Sequence, residues 1–443
     1  MNSIADLPFF PIHFDASGAL EHPTEIDALL VHLTANAPAR LVVVSHGWRN
    51  DEAYAQQLYS ELFGNVAARL KTLGIAPKDL PTIAGVFWPS MALPEFDYSS
   101  ATNQDKQDGA AAALDAPELD QKVVEDQIDA LISNEFGNRE LLTSAKALLG
   151  TLDDSPANCK KFVELLRQTA PPTTDASEDN SDRFLNDDAS DIFDRLVPPI
   201  DVTPVDNGDG GALGLADAVS NVTETLLNTA TGVLGSAFRL VNYLTFYQMK
   251  ERAGIVGQGL NKVLGRVREK YATLPIILVG HSFGARVVTS AAARGANLDP
   301  CSLILLQGAF SHNGFASKTV WEKDGYFRAV FQEKRVSGPL IATYTANDQA
   351  VGAAYPVACR IAGQNANALG DANDPFGGIG RNGAIHLLTE EKRKAVKLLD
   401  ETGAYAFDNA KANNLLADDF IHSHGDVKNP AVANVVAQVI KLP

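Results

Sequence analysis

Residues 275–296 read PIILVGHSFGARVVTSAAARGA, an uninterrupted apolar run that ends in Gly-x-Ser-x-Gly and passes directly into small residues. A short, continuously apolar run bounded by glycine reads as a strand buried on both faces. Gly280 and Gly284 remove the side chains that would collide where the chain turns sharply about Ser282. Ala285 and the later alanines let the following helix lie close on the sheet. The segment therefore predicts a strand, a strained turn and a helix in immediate succession. Such a unit belongs to a parallel sheet whose strands are joined by helical crossovers.

The same grammar recurs along the chain. Leu41–Ser45 (LVVVS), 82–88 (TIAGVFW), 302–306 (SLILL) and 340–345 (LIATYT) are further buried strands, with 9–14 (FFPIHF) and 404–407 as weaker edge candidates. Helices are expected over 52–73, 247–271, 283–296 and 431–441. This alternation predicts an α/β protein with a doubly wound, mostly parallel sheet. It is interrupted once. From 94 to 245 no strand pattern stands out, but 123–135, 138–149 and 157–168 have helical periodicity. Residues 171–211 hold eleven acids against two basic residues, more than half of the formal charge of −17, with Pro-Pro, Asn-Gly and Gly-Gly pairs. That composition reads as a flexible acidic segment. Residues 213–246 carry only Asp217, Glu224 and Arg239 as charges. The expected organisation is a core of residues 1–93 and 246–443, with residues 94–245 inserted as a large, mainly helical cap.

A Gly-His-Ser-Phe-Gly turn in this strand–helix context resembles the nucleophile elbow of the α/β-hydrolase superfamily, particularly its bacterial serine esterases and lipases. The resemblance spans residues 41–88 and 247–443 and leaves out the insertion, which lies earlier than the position where this superfamily commonly carries a cap. It implies that Ser282 is the nucleophile of an acyl-transfer reaction. The order Ser, acid, His then assigns the acid to Asp348, in a turn just past the 340–345 strand, with Asp371 and Asp374 of the next Gly-rich stretch as alternatives. The base is His424, in a late loop leading to the last helix. His422 is the alternative two residues earlier, and His386, expected to precede a helix over 387–399, is a third. These three residues would form a Ser-His-Asp catalytic triad. His46-Gly47-Trp48 resembles the His-Gly loop of lipases, so the amides of Trp48 and Phe283 are the expected oxyanion hole, the latter at the positive end of a helix dipole. His46, Gly47, His281, Trp88 and Met91 are expected to line the substrate pocket.

Composition narrows the function. A net charge of −17 opposes nucleic-acid binding, which needs clustered Lys and Arg. Cys159, Cys301 and Cys359 form no disulfide framework or metal-ligand spacing. No basic-then-apolar leader and no membrane-spanning run are seen, so a cytoplasmic location is expected, with signal-independent export left open. His422-x-His424-x-Asp426 is too small a fragment for a binuclear metal site and has Val427 where such motifs place another His. No cofactor or metal is expected. The expected partner is a small-molecule or lipid ester, with transient membrane-surface contact through the cap. The apolar 213–246 stretch favours an apolar acyl chain, hence a carboxylic ester hydrolase. The competing readings are a peptidase or acyltransferase on the same residues, or a non-catalytic membrane- or protein-interaction module.

Overall fold

Valine, isoleucine and leucine dominate the 41–45, 275–279 and 302–306 runs, and in the computed structural model these join the 82–88 and 340–345 runs as the centre of a sheet. The structure describes residues 3–47, 52–90, 119–134, 136–171, 181–198, 231–319, 322–348, 361 and 375–442. In chain order the first elements are β1 (Ser3–Ile4), β2 (Leu7–His13), α1 (Pro23–Asn36), β3 (Leu41–Ser45), α2 (Glu52–Thr72) and β4 (Thr82–Phe87). Helices α3 (Gln121–Ser133), α4 (Arg139–Leu148), α5 (Pro156–Thr169), α6 (Ser181–Asn186), α7 (Ala189–Arg195) and α8 (Gly232–Lys270) follow. Next come β5 (Ile276–His281), α9 (Phe283–Ala293), β6 (Cys301–Leu306), α10 (Ala329–Gln332), β7 (Leu340–Tyr344) and α11 (Ile379–Asn382). The chain ends with β8 (Val396–Lys397), β9 (Ala412–Leu416) and α12 (Pro430–Lys441).

Two compact units result. One comprises Met1–Ser90, Met249–Val351 and Gly377–Pro443; the other comprises Met91–Gln248 and Gly352–Phe376. The first holds the nine-stranded sheet, in the order β1-β2-β4-β3-β5-β6-β7-β9-β8, parallel throughout except for the β1–β2 pair. Alternate residues of the central strands face opposite ways. Val42, Val44, Ile277, Val279, Ile304 and Leu306 share one core with α2 and α12. Helix α9 lies against β3, β5 and β6, and its residues take no part in that core. The sheet is thus flanked by helices and is compatible with a doubly wound fold. After β3 the chain moves to β4 on one side; after β5 it moves to β6 on the other. Strands β3 and β5 are neighbours, Ser45 opposite Gly280, and the space beyond their carboxyl ends is the point where the winding reverses. Ligand crevices of open parallel sheets form at such points.

Every element among the described residues of the second unit is helical. Asp120, Asn138 and Ser155 cap α3, α4 and α5 through their side chains, and Pro156 opens α5. Part of the acidic 171–211 segment, expected to be irregular, forms α6 and α7. Asp188 caps α7 by accepting from the amides of Ser190 at 2.8 Å and Asp191 at 3.4 Å. Phe184, Ile192 and Phe193 are fully buried and anchor both helices, so local apolar spacing overrides bulk acidity.

Two expectations at the sheet edge are corrected. Residues 404–407 form no strand; Tyr405 and Phe407 stack their rings 4.9 Å apart instead. The strand is β9, whose sequence ANNLL is a poor strand former by propensity. The segment 387–399, expected to be helical, forms a 3-10 turn at Thr389–Glu391 and then β8, paired in parallel with β9. Glu391 is held by Arg328 through two contacts of 2.6 and 2.5 Å. The amides of Arg393 and Leu398 donate to Ala412 and Leu416, which draws the segment out along the sheet. Among the described residues no helix is long and apolar enough to cross a membrane.

Candidate functional site

The chain leaves β5 through Ser282 at φ 57°, ψ −125°, a conformation L residues rarely adopt and one that costs on the order of 1–3 kcal/mol. Its surroundings hold it there. The Ser282 amide donates to Leu306 O at 3.1 Å, and its carbonyl accepts from the amides of Ala285 and Ala309, both at 3.0 Å. The flanking glycines are required by close approach. A Cβ on Gly280 would lie 2.5 Å from the Ala285 amide nitrogen, and one on Gly284 would lie 2.5 Å from His46 O. Phe283 begins α9, so its amide sits at the positive end of the helix dipole.

Gly47, just past β3, lies against the serine itself. A Cβ there would come 2.5 Å from Ser282 Cβ and 3.0 Å from Ser282 Oγ. The missing side chain thus lets the loop press on the serine hydroxyl. His46 braces this loop. Its Nδ1 lies 2.9 Å from Gly47 O, its Nε2 accepts from the Trp88 amide at 3.4 Å, and its own amide donates to Tyr59 Oη at 2.8 Å. Trp88 stacks on the His46 ring at 5.6 Å and donates from its indole to His46 O at 3.2 Å. Both residues are buried and hold the loop rather than standing open to solvent.

Asp348 and His424 arrive from different strands. Asp348, just past β7, is fully buried; His424 lies in the loop between β9 and α12. His424 Nδ1 sits 2.9 Å from Asp348 Oδ2 and 3.1 Å from Oδ1. A buried carboxylate must be hydrogen-bonded, and this one accepts from Gln307 Nε2 at 2.9 Å as well. The loops carrying the pair are tied together. Asp418 accepts from Thr345 Oγ1 at 2.7 Å and the Ala346 amide at 3.1 Å, and Asn347 Nδ2 donates to Ile421 O at 3.0 Å.

His281, immediately before the serine, connects the two halves. Its Nε2 donates to His424 O at 2.9 Å, and the two rings lie 4.9 Å apart. Burial, and secondarily the proximity of His424, push its pKa down to about 3. His281 therefore stays neutral across the physiological range and adds no positive charge beside His424. Because folding buries the neutral ring, acidification from the ordinary histidine range toward pH 3 lowers stability.

The structure thus brings together Ser282, Phe283, Gly47, His46, His281, Asp348, His424 and Trp88 at the carboxyl ends of β3, β4, β5, β7 and β9. It does not bring the alternative histidines there. His422 is exposed, and Asp426 accepts from its backbone amide at 3.2 Å. His386 pairs through Nδ1 with Asn313 Oδ1 at 2.6 Å. Trp48, Met91, Asp371 and Asp374 lie outside the described residues. Among the described residues no group of three or more His, Cys, Asp and Glu could hold a metal ion. Sequence reasoning missed Gln307 and Tyr59. Gln307 had a signal: a polar residue closing the SLILL run, just where a buried strand reaches the sheet edge. Tyr59 had none, being one more periodic position of α2.

Comparison with family models, curated proteins and solved structures finds no match.

Proposed function

We propose that the protein is a serine hydrolase of the α/β-hydrolase fold that cleaves carboxylic esters through an acyl-enzyme on Ser282. The sheet-bearing unit serves as its core and the helical insertion as its cap. The carrying observation is the strained Ser282 turn at the winding reversal, together with an Asp348–His424 hydrogen bond of 2.9 Å in the loop that His281 ties to that turn.

In this reading His424 Nε2 takes the proton of Ser282, whose Oγ attacks the ester carbonyl. Asp348 accepts from Nδ1, which leaves Nε2 as the basic nitrogen and stabilises the imidazolium that forms. The amide of Phe283 receives the developing oxyanion, with that of Trp48 the second donor expected from the sequence. His424 then protonates the leaving alcohol and activates water for deacylation. Esters are favoured over amides by the apolar composition of residues 213–246. A panel of p-nitrophenyl esters of increasing acyl length tests the proposal. Wild-type turnover should fall by ~10⁴- to 10⁶-fold in Ser282→Ala, with the far-UV spectrum unchanged. Absence of turnover on every ester, or equal turnover in the variant, contradicts it.

A further inference from the structure

Gln307 stands at the first position past β6, fully buried, at φ 46°. A non-glycine residue in the left-handed region is held against its backbone preference by what its side chain and neighbours do. Here every polar atom of that side chain is engaged. Nε2 donates to Asp348 Oδ2 and to Gly380 O, each at 2.9 Å, and Oε1 lies 3.0 Å from Thr343 Oγ1. The backbone amide of Gln307 also reaches Thr343 Oγ1, at 3.1 Å. The orientation of the amide is therefore forced. Reversing it would set Oε1 against a carboxylate and a carbonyl and leave three acceptors facing one another. Gly380 closes the arrangement, since a Cβ there would lie 3.0 Å from Asp348 Oδ2.

Two donors thus converge on Asp348 Oδ2: His424 Nδ1 and Gln307 Nε2. They differ in kind. The imidazole must swing between neutral and charged during turnover, whereas the amide is fixed and uncharged. We infer that Gln307 is a positioning residue for the acid: it clamps one carboxylate oxygen of Asp348 so that the carboxylate stays aligned on His424 while the imidazole gains and loses its proton. The inference rests on the serine hydrolase reading above for its catalytic meaning. The clamp on Asp348 is a property of the fold.

Losing the amide leaves the Asp348 charge less neutralised by hydrogen bonding and its carboxylate less firmly aligned. The less neutralised carboxylate stabilises the His424 imidazolium more, so its pKa rises. The misaligned carboxylate lowers kcat while leaving substrate contacts alone. For Gln307→Met we expect kcat to fall ~10- to 100-fold with KM nearly unchanged, and the acid limb of kcat/KM to move to higher pH. Gln307→Glu gives an opposite test. With two carboxyl groups side by side, one retains a proton at low pH and can donate to Asp348, so activity should be partly kept on the acid side. It should be lost as pH rises and that proton leaves. NMR titration of the His424 imidazole gives a readout independent of turnover, and it should move upward in Gln307→Met. Wild-type kcat, pH profile and His424 titration in both variants would overturn the inference and leave Gln307 as packing. Should Gln307→Met not fold, the Gln307→Glu profile decides: a profile parallel to wild type overturns it. A shifted His424 titration in protein that shows no Ser282-dependent ester turnover would retain the clamp and remove the hydrolase reading instead.

Discussion

Strands β5 and β9 both deliver a histidine-bearing segment to the same sheet edge, by opposite means. Strand β5 is apolar on both faces and all of its residues are buried, so exclusion of solvent holds it at the centre of the sheet. Strand β9 is held by amide side chains. Asn413 is buried and donates to Asp408 O at 2.9 Å and Lys411 O at 3.0 Å while accepting from the Asp408 amide at 2.9 Å. Asn414 accepts from the Ala384 amide at 3.0 Å and returns a hydrogen bond to Ala384 O at 2.9 Å. The serine side of the site thus stands on packing and the acid–base side on hydrogen-bonded loops. A strand of the first kind is robust to polar detail and sensitive to volume; one of the second kind is the reverse.

The largest effect that separates the two sides is catalytic. His424→Ala should reduce ester turnover nearly as far as Ser282→Ala, by ~10⁴-fold or more, because the two act as a unit. His422→Ala, exposed two residues away, should stay within a few-fold of wild type. If His422→Ala is the inactive variant, the β9 loop has been assigned the wrong histidine. Next comes the contact between the β3 loop and the serine. Gly47→Ala places a methyl group 2.5 Å from Ser282 Cβ and must push the loop away. A loss of ~10²- to 10³-fold in kcat, the scale of one oxyanion donor, is expected with near-normal folding. Unchanged kcat would show that the loop can yield without consequence. The smallest pair measures the strands themselves. Leu278→Ala in β5 should cost about 2–5 kcal/mol in denaturant unfolding through the cavity it leaves. Asn413→Leu in β9 should cost about 1–3 kcal/mol, although it adds apolar surface, because it orphans buried carbonyl and amide groups. A stabilised Asn413→Leu protein would abolish the distinction.

The same distinction explains what could be read in advance. Strands β3 to β7 and the Ser282 turn were legible because burial on both faces writes itself as short, nearly continuous apolar runs, and a turn that tight needs glycine at fixed positions. The pairing of Asp348 with His424 was anticipated from the residue order that the resemblance implies and from their places after a strand and before the last helix. Strand β9 was hidden because its Asn side chains satisfy loops that are remote in sequence, Ala384 lying thirty positions away from Asn414. Helices α6 and α7 were hidden beneath their acidity. Gln307 could be seen as a polar residue at a strand end, but its partners, Thr343 and Gly380, come from other elements and only the fold brings them in. His46 and Trp88, expected to line a substrate pocket, are buried and brace the loop that carries Gly47, contacts that only the fold reveals.

The central claim is that Ser282 is chemically activated, and covalent labelling tests it without any choice of substrate. A fluorophosphonate probe applied to the folded wild-type protein, followed by digestion and mass spectrometry, should place the adduct on the peptide bearing Ser282. Labelling should be abolished in Ser282→Ala and strongly slowed in His424→Ala. An unlabelled wild-type protein, or an adduct on another serine that persists in Ser282→Ala, would contradict the account.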